Sequence, residues 1–309
     1  MKNLIMLLIL FPIAVNSQYF SGEITYEINI LPKADTIDIK EIIDLKHGTK
    51  AKYLIKSKKY KSIYFKNNKY NYSYTYEDDT KRMFDDYSDK PYITFRNSQK
   101  ANYEYYGSEI FKDSIATVFG KDCYMVLTKS EYGTSRTYYS DDIRVNHEDF
   151  TGHKVGNWYA KLKEVNGAIA LKTITEHDTY FEIQEAVDIV ERNVADSEFE
   201  LPNKPIAASF SALDNRVEMI EPTRDQIQCY QQKVYNASEK EGEKYLSYVS
   251  FLLQTDGTIK FIEPYEKDES GFYKVAVEII STCGFKFQPG LINGNQVDSQ
   301  VYFPIEFTK

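Results

Sequence analysis

The chain has 309 residues, with 38 Lys and Arg against 46 Asp and Glu, a formal net charge of -8. Nucleic-acid binding faces are normally basic, so this balance excludes nucleic acid as a partner, and the interspersed charges read as a solvated surface. The 27 tyrosines and 18 phenylalanines against a single tryptophan favour β structure.

At the amino terminus Lys2 precedes an apolar run over residues 4–15, and Val15 and Ser17 fit the small-residue positions before a cleavage point. Such a run spans only about 18 Å as a helix, against roughly 30 Å of hydrocarbon, so a cleavable signal peptide over residues 1–17 is expected rather than an anchor. No later stretch matches a transmembrane helix, which implies a periplasmic or secreted protein with no membrane span after cleavage. Roughly 290 residues would remain, enough for two domains.

From Gly22 the signals are two-residue alternation and tight turns. Ile24, Tyr26, Ile28 and Ile30 alternate with polar neighbours as in a half-buried strand. Residues 60–65, then Asn67-Asn68, then Tyr70, Tyr72, Tyr74 and Tyr76 predict a hairpin, because paired asparagines tolerate positive φ. Further strands are expected at 51–55, 92–95, 114–119, 123–128, 135–139, 168–175 and 179–190, joined as an antiparallel meander. Leu201-Pro202-Asn203-Lys204-Pro205 breaks the pattern. From Thr223, a plausible N-cap, Ile227, Tyr230 and Val234 recur at helical spacing. Asp256-Gly257 between apolar runs predicts a hairpin, and Ser270 precedes a second helix striped by Phe272, Val275, Ala276, Ile279 and Cys283. Val301, Phe303, Ile305 and Phe307 alternate as a last strand.

The fold class is therefore α+β: an antiparallel β-rich, half-barrel-like domain over 18–205, a linker over 206–222, and a helix-hairpin-helix-strand domain over 223–309.

No metalloprotease, nucleophile-elbow, phosphate-loop or Cys-x-x-Cys motif occurs, and only four histidines could serve as base or ligand. A metal site or hydrolase centre around His147, Glu148, Asp149 and His153 is outweighed by a polar loop between strands. Asp85-Asp86 and Asp141-Asp142 read as turn or solvated-edge residues, since strand neighbours point to opposite faces and cannot form a dyad. The expectation is a non-enzyme with no metal and no cofactor. Tyr70, Tyr72, Tyr74 and Tyr76 could make an apolar or aromatic platform, with core packing the plainer reading. Three cysteines cannot all pair within one chain; Cys229 and Cys283 could bond, and Cys123 reads as a buried thiol.

The C-terminal order of hairpin, helix, Phe285-Lys286-Phe287-Gln288-Pro289-Gly290, Asn293-Gly294 turn and Pro304-bearing last strand resembles the TonB C-terminal domain. That resemblance implies engagement of an envelope or outer-membrane protein by strand pairing along Val301, Tyr302, Phe303, Pro304, Ile305 and Phe307, and Pro304 suits an edge. The N-terminal half, from Ser21-Gly22-Glu23-Ile24 through Gly120-Lys121-Asp122-Cys123-Tyr124 to Tyr138-Tyr139-Ser140-Asp141-Asp142, resembles secreted GLPGLI-type proteins, similar in outline to half-barrel lipoprotein carriers. This implies an envelope protein and, as the alternative function, a carrier of a lipid or other apolar ligand.

Overall fold

A computed structural model describes residues 19–238, 242–267 and 269–308; the expected leader at 1–17 lies outside the described residues. The N-terminal half opens with β1 (Gly22–Pro32) and the short helix α1 (Ile39–Leu45), whose first turn is capped by Asp38. A meander follows through β2 (Lys50–Lys56), β3 (Lys59–Lys66), β4 (Lys69–Glu77), β5 (Arg82–Tyr87) and β6 (Ile93–Asn97). Next come β7 (Tyr105–Val118), β8 (Lys121–Ser130) and β9 (Gly133–Arg144), then α2 (Trp158–Glu164), β10 (Ala168–Glu176) and β11 (Tyr180–Glu191). Beyond these lie β12 (Ile206–Ala208), β13 (Glu218–Met219), α3 (Arg224–Ala237), β14 (Lys244–Leu253), β15 (Ile259–Pro264) and α4 (Phe272–Thr282). The chain closes with β16 (Phe287–Gln288), β17 (Leu291–Ile292), β18 (Asn295–Gln296) and β19 (Ser299–Thr308).

Four α-helices among the described residues, set against a 15-stranded sheet, make a β-rich α+β fold. The sheet runs β15-β14-β19-β12-β6-β5-β4-β3-β2-β1-β11-β10-β9-β8-β7. Pairing of β1 with both β2 and β11 lets the sheet grow outward in two directions from its first strand. Register breaks at Thr25/Tyr26 on β1, between Ala168 and Lys172 on β10, and at Phe111/Ile115 on β7 add bend and twist. The curled part encloses a core of Ile24, Ile55, Tyr60, Tyr76, Phe150, Leu162 and Leu171 beneath α2.

At the other end α3 and α4 cover one face of β14 and β19. Val249, Phe251, Ile305 and Phe307 from the strands pack with Phe272, Ala276 and Ile279 of α4. Thr223 caps α3 through a reciprocal pair with Gln226, and Cys229 of α3 is disulfide-bonded to Cys283 at the end of α4. Cys123 is a buried free thiol.

Four expectations are corrected. The stretch 206–222 is not a bare linker: β12 inserts parallel to both β6 and β19, and Ala208, Ala212 and Leu213 are buried against Phe84, Ile93 and Phe95. Asp85 and Asp86 are not turn residues but lie buried within β5, on opposite faces, each beside a cation. The strand expected at 114–119 begins at Tyr105, because a register break carries pairing past the polar stretch Lys112-Asp113-Ser114. Finally, β19 is not a terminal strand. It lies between β14 and β12, although β12 meets it only at Ser299.

Candidate functional site

Register in the meander places side chains in cross-strand rows on one face. One row runs Ile24, Tyr53, Ser62, Tyr74, Asp85, Thr94 across β1 to β6. The next runs Tyr26, Ala51, Tyr64, Tyr72, Tyr87. Neighbours in such rows stand about 5 Å apart at Cβ. Small residues between the rings therefore open space: Ser62 separates Tyr53 from Tyr74, and Ala51 separates Tyr26 from Tyr64.

That space is a cavity of about 420 Å³ lined by all four of these tyrosines. Its far wall is hydroxyl-rich, with Thr128, Ser135, Thr137 and Thr173 from the curled strands, and α2 closes one side with Trp158, Lys161 and Leu162. Lys161 Nζ donates to the Tyr103 hydroxyl at 2.6 Å, fixing the rim. The lining thus alternates ring faces with hydrogen-bonding groups and bears a single cation, Lys161, and no carboxylate.

Tyr26 donates its hydroxyl to the Ala170 carbonyl at 2.7 Å. The Tyr53 hydroxyl, by contrast, is buried with no hydrogen-bond partner among the described residues. Tyr53 is 8% exposed, and burial pushes its phenol well above the usual value, as it does for Tyr74, so both are neutral at physiological pH. A buried hydroxyl left unpaired costs about 1–3 kcal/mol.

Beside the cavity, His153 is 1% exposed and sits among the rings of Tyr60, Tyr76 and Trp158. Its Nε2 pairs with the Tyr60 hydroxyl and its Nδ1 has no partner among the described residues. Burial, reinforced by the Arg96 charge, lowers its pKa to about 3. His147 instead lies beside Glu148 in a single turn capped by Asn146, so the two histidines have separate surroundings. Among the described residues no group of three His, Cys, Asp or Glu side chains is placed to hold a metal.

The tyrosine row does not form one flat platform. Tyr72 and Tyr76 are buried, Tyr74 reaches the cavity, and Tyr70 crosses to the other face because the register slips between Tyr64 and Phe65. There the Tyr70 hydroxyl donates to the Asp86 carboxylate, which also binds Lys204 at 2.7 Å. On β19, Val301, Ile305 and Phe307 are buried towards the helices and Phe303 packs beside them, while Tyr302 and Pro304 face outward. The cavity residues Tyr53, Ser62, Tyr64, Tyr139 and Trp158 carry only a weak sequence signal, the shared parity of tyrosines on successive strands.

No known protein family and no curated protein matches the chain. Among solved structures it is similar to PNGF-II in two crystal forms, at 12% identity with TM-scores of 0.39 and 0.38 over 94% of this chain. The chain spans 61% of those structures' length. A LolA superfamily protein, NE2245 from Nitrosomonas europaea, aligns over 59% of this chain and 90% of its own, at 10% identity and a TM-score of 0.28. These are loose likenesses of outline, and no residue's role follows from them.

Proposed function

We propose that this is an exported, non-catalytic binding protein whose curled sheet holds a small amphipathic ligand in the tyrosine-lined cavity. The observation that carries the reading is the cavity itself, about 420 Å³ between the rings of Tyr26, Tyr53, Tyr64 and Tyr74 and the hydroxyls of Thr128, Ser135, Thr137 and Thr173. Alternating rings and hydroxyls suit a molecule with apolar faces and several hydrogen-bonding groups. A bare acyl chain suits them less, since it would leave Thr128, Ser135 and Thr137 beside hydrocarbon. The apolar run at residues 4–15 supports export to the periplasm or beyond.

Protein purified gently from its own envelope should carry a co-purifying small molecule in native mass spectrometry. Ala170→Trp, which fills the cavity, should abolish that species. A preparation that never retains a ligand, with melting unchanged by envelope extracts, would refute the reading.

A second reading is engagement of an envelope or outer-membrane protein by strand addition along β19. In its favour, no strand among the described residues pairs with the outer rim of β19 beyond Ser299. It ranks second because little of that rim is free to donate. Pro304 has no N–H, and the Thr308 N–H donates to Ser238 Oγ at 3.0 Å. A photo-crosslinker at Tyr302 that captures only monomer in cells would remove this reading.

A further inference from the structure

A second recess, about 430 Å³ in volume, opens where β5 and β6 meet β14, β19 and Tyr265, the residue after β15. It lies on the same face as the first and abuts it. In the row Tyr53, Ser62, Tyr74, Asp85, Thr94 the first three residues line the tyrosine cavity and the last two line this recess.

Its polar wall is rigid. The carboxylate of Asp85, 7% exposed, accepts from Arg96 Nε and Nη2 at 3.0 and 2.6 Å and from the Tyr72 hydroxyl. That bidentate pair holds the guanidinium as a fixed plate, with Nη1 the nitrogen it does not use. Nearby the buried Tyr92 hydroxyl accepts from Gln300 Nε2 at 3.4 Å. The opposite wall is aromatic: Tyr265 and Tyr302 meet edge to face at 5.0 Å, and both are exposed.

Charge and chemistry narrow the occupant. The lining bears two acids, Asp85 and Asp89, and two bases, Lys90 and Arg96, so its formal charge is zero and neither an anion nor a cation is favoured. An acyl chain would desolvate ion pairs without replacing their hydrogen bonds. A sugar ring meets both walls. Its adjacent hydroxyls match planar carboxylate, guanidinium and amide groups, and its C–H face lies against a tyrosine ring. We propose that this recess is a second binding site, taking a sugar unit of a neutral glycan. The bound sugar bridges β5 and β6 to β14, β19 and Tyr265, because each half of the chain supplies one wall.

The test titrates the full mature chain with maltohexaose and chitohexaose, after a screen on an array of neutral glycans, by calorimetry and thermal shift. At least one neutral glycan should bind and raise the melting temperature. Tyr302→Ala and Arg96→Gln should each weaken binding about tenfold or more, while Tyr53→Phe in the first cavity should change it less than about twofold. Arg96→Gln strips a buried carboxylate of its partner; should it fail to fold, the exposed Tyr302→Ala alone decides. Three results would overturn the proposal: no neutral glycan binds, binding survives both substitutions, or a sulfated sugar binds in preference. The first cavity's ligand can be present or absent in any of these outcomes, so the two sites stand or fall separately.

Discussion

His153 shows what burial does to one residue. The rings of Tyr60, Tyr76 and Trp158 pack against it, and of the charges that act on it Arg96 opposes protonation while Asp78 favours it. Burial dominates, so the folded pKa of about 3 lies below the ordinary imidazole value. Above about pH 6.5 both folded and unfolded chains hold a neutral ring, and this group gives stability no pH dependence. Below that, only the unfolded chain gains the proton. Stability should therefore fall by about 1.4 kcal/mol per pH unit until the folded ring titrates too. Denaturant melts of wild type and His153→Phe at several acidic pH values check this. The wild type should show the steeper loss, and parallel curves would contradict it. Asp85 and Asp86 look like turn residues in sequence because interior strands rarely carry carboxylates. Their counter-ions Arg96 and Lys204 lie 11 and 118 residues away, a pairing that only the folded sheet reveals.

Among the elements, those with local turn chemistry were legible. Asn67 and Asn68 adopt φ of 51° and 59°, as the β3–β4 hairpin requires, and Thr223 caps α3 as its hydroxyl suggests. Ser270 sits one residue early: Gly271 is the N-cap of α4, and the Ser270 hydroxyl accepts from the Phe272 N–H at 3.2 Å. The short helices α1 and α2 left no periodic signal, since seven residues span barely two turns. Helices α3 and α4 share a covalent tie that spacing alone left open. The Cys229–Cys283 bond spans 54 residues, and closing a loop of that length restricts the unfolded chain by about 4 kcal/mol. Replacing both cysteines with serine should lower the denaturation midpoint accordingly. A reducing agent should lower the wild type towards the variant and leave the variant unchanged; equal midpoints for the two proteins would show the tie to be energetically idle.

Across the whole molecule, β12 decides how the chain behaves as a unit. Three residues bridge two bodies of sheet, with Ala208 opposite Phe95 on one side and Ser299 on the other. Sequence patterning missed it because so short a strand, following a proline-rich segment, has no period to detect. The Ala208 N–H donates to the Asp298 carbonyl at 2.7 Å, and Ala208→Pro removes that donor from the junction. Scanning calorimetry should then show two transitions in place of one. A single, merely lowered transition would mean the halves are coupled through other contacts.

The placement of Trp158 gives the molecule a built-in optical reporter. It is the only tryptophan in the sequence, it lines the tyrosine cavity, and its ring lies 5.1 Å from that of Tyr60. Indole emission responds to local polarity and to contact with quenching groups, so all tryptophan fluorescence from this protein originates at the wall of one site. A ligand entering the cavity should shift or quench that emission without any label. A sugar confined to the recess beside Arg96 should leave it unchanged, so one spectrum distinguishes which of two neighbouring sites is filled.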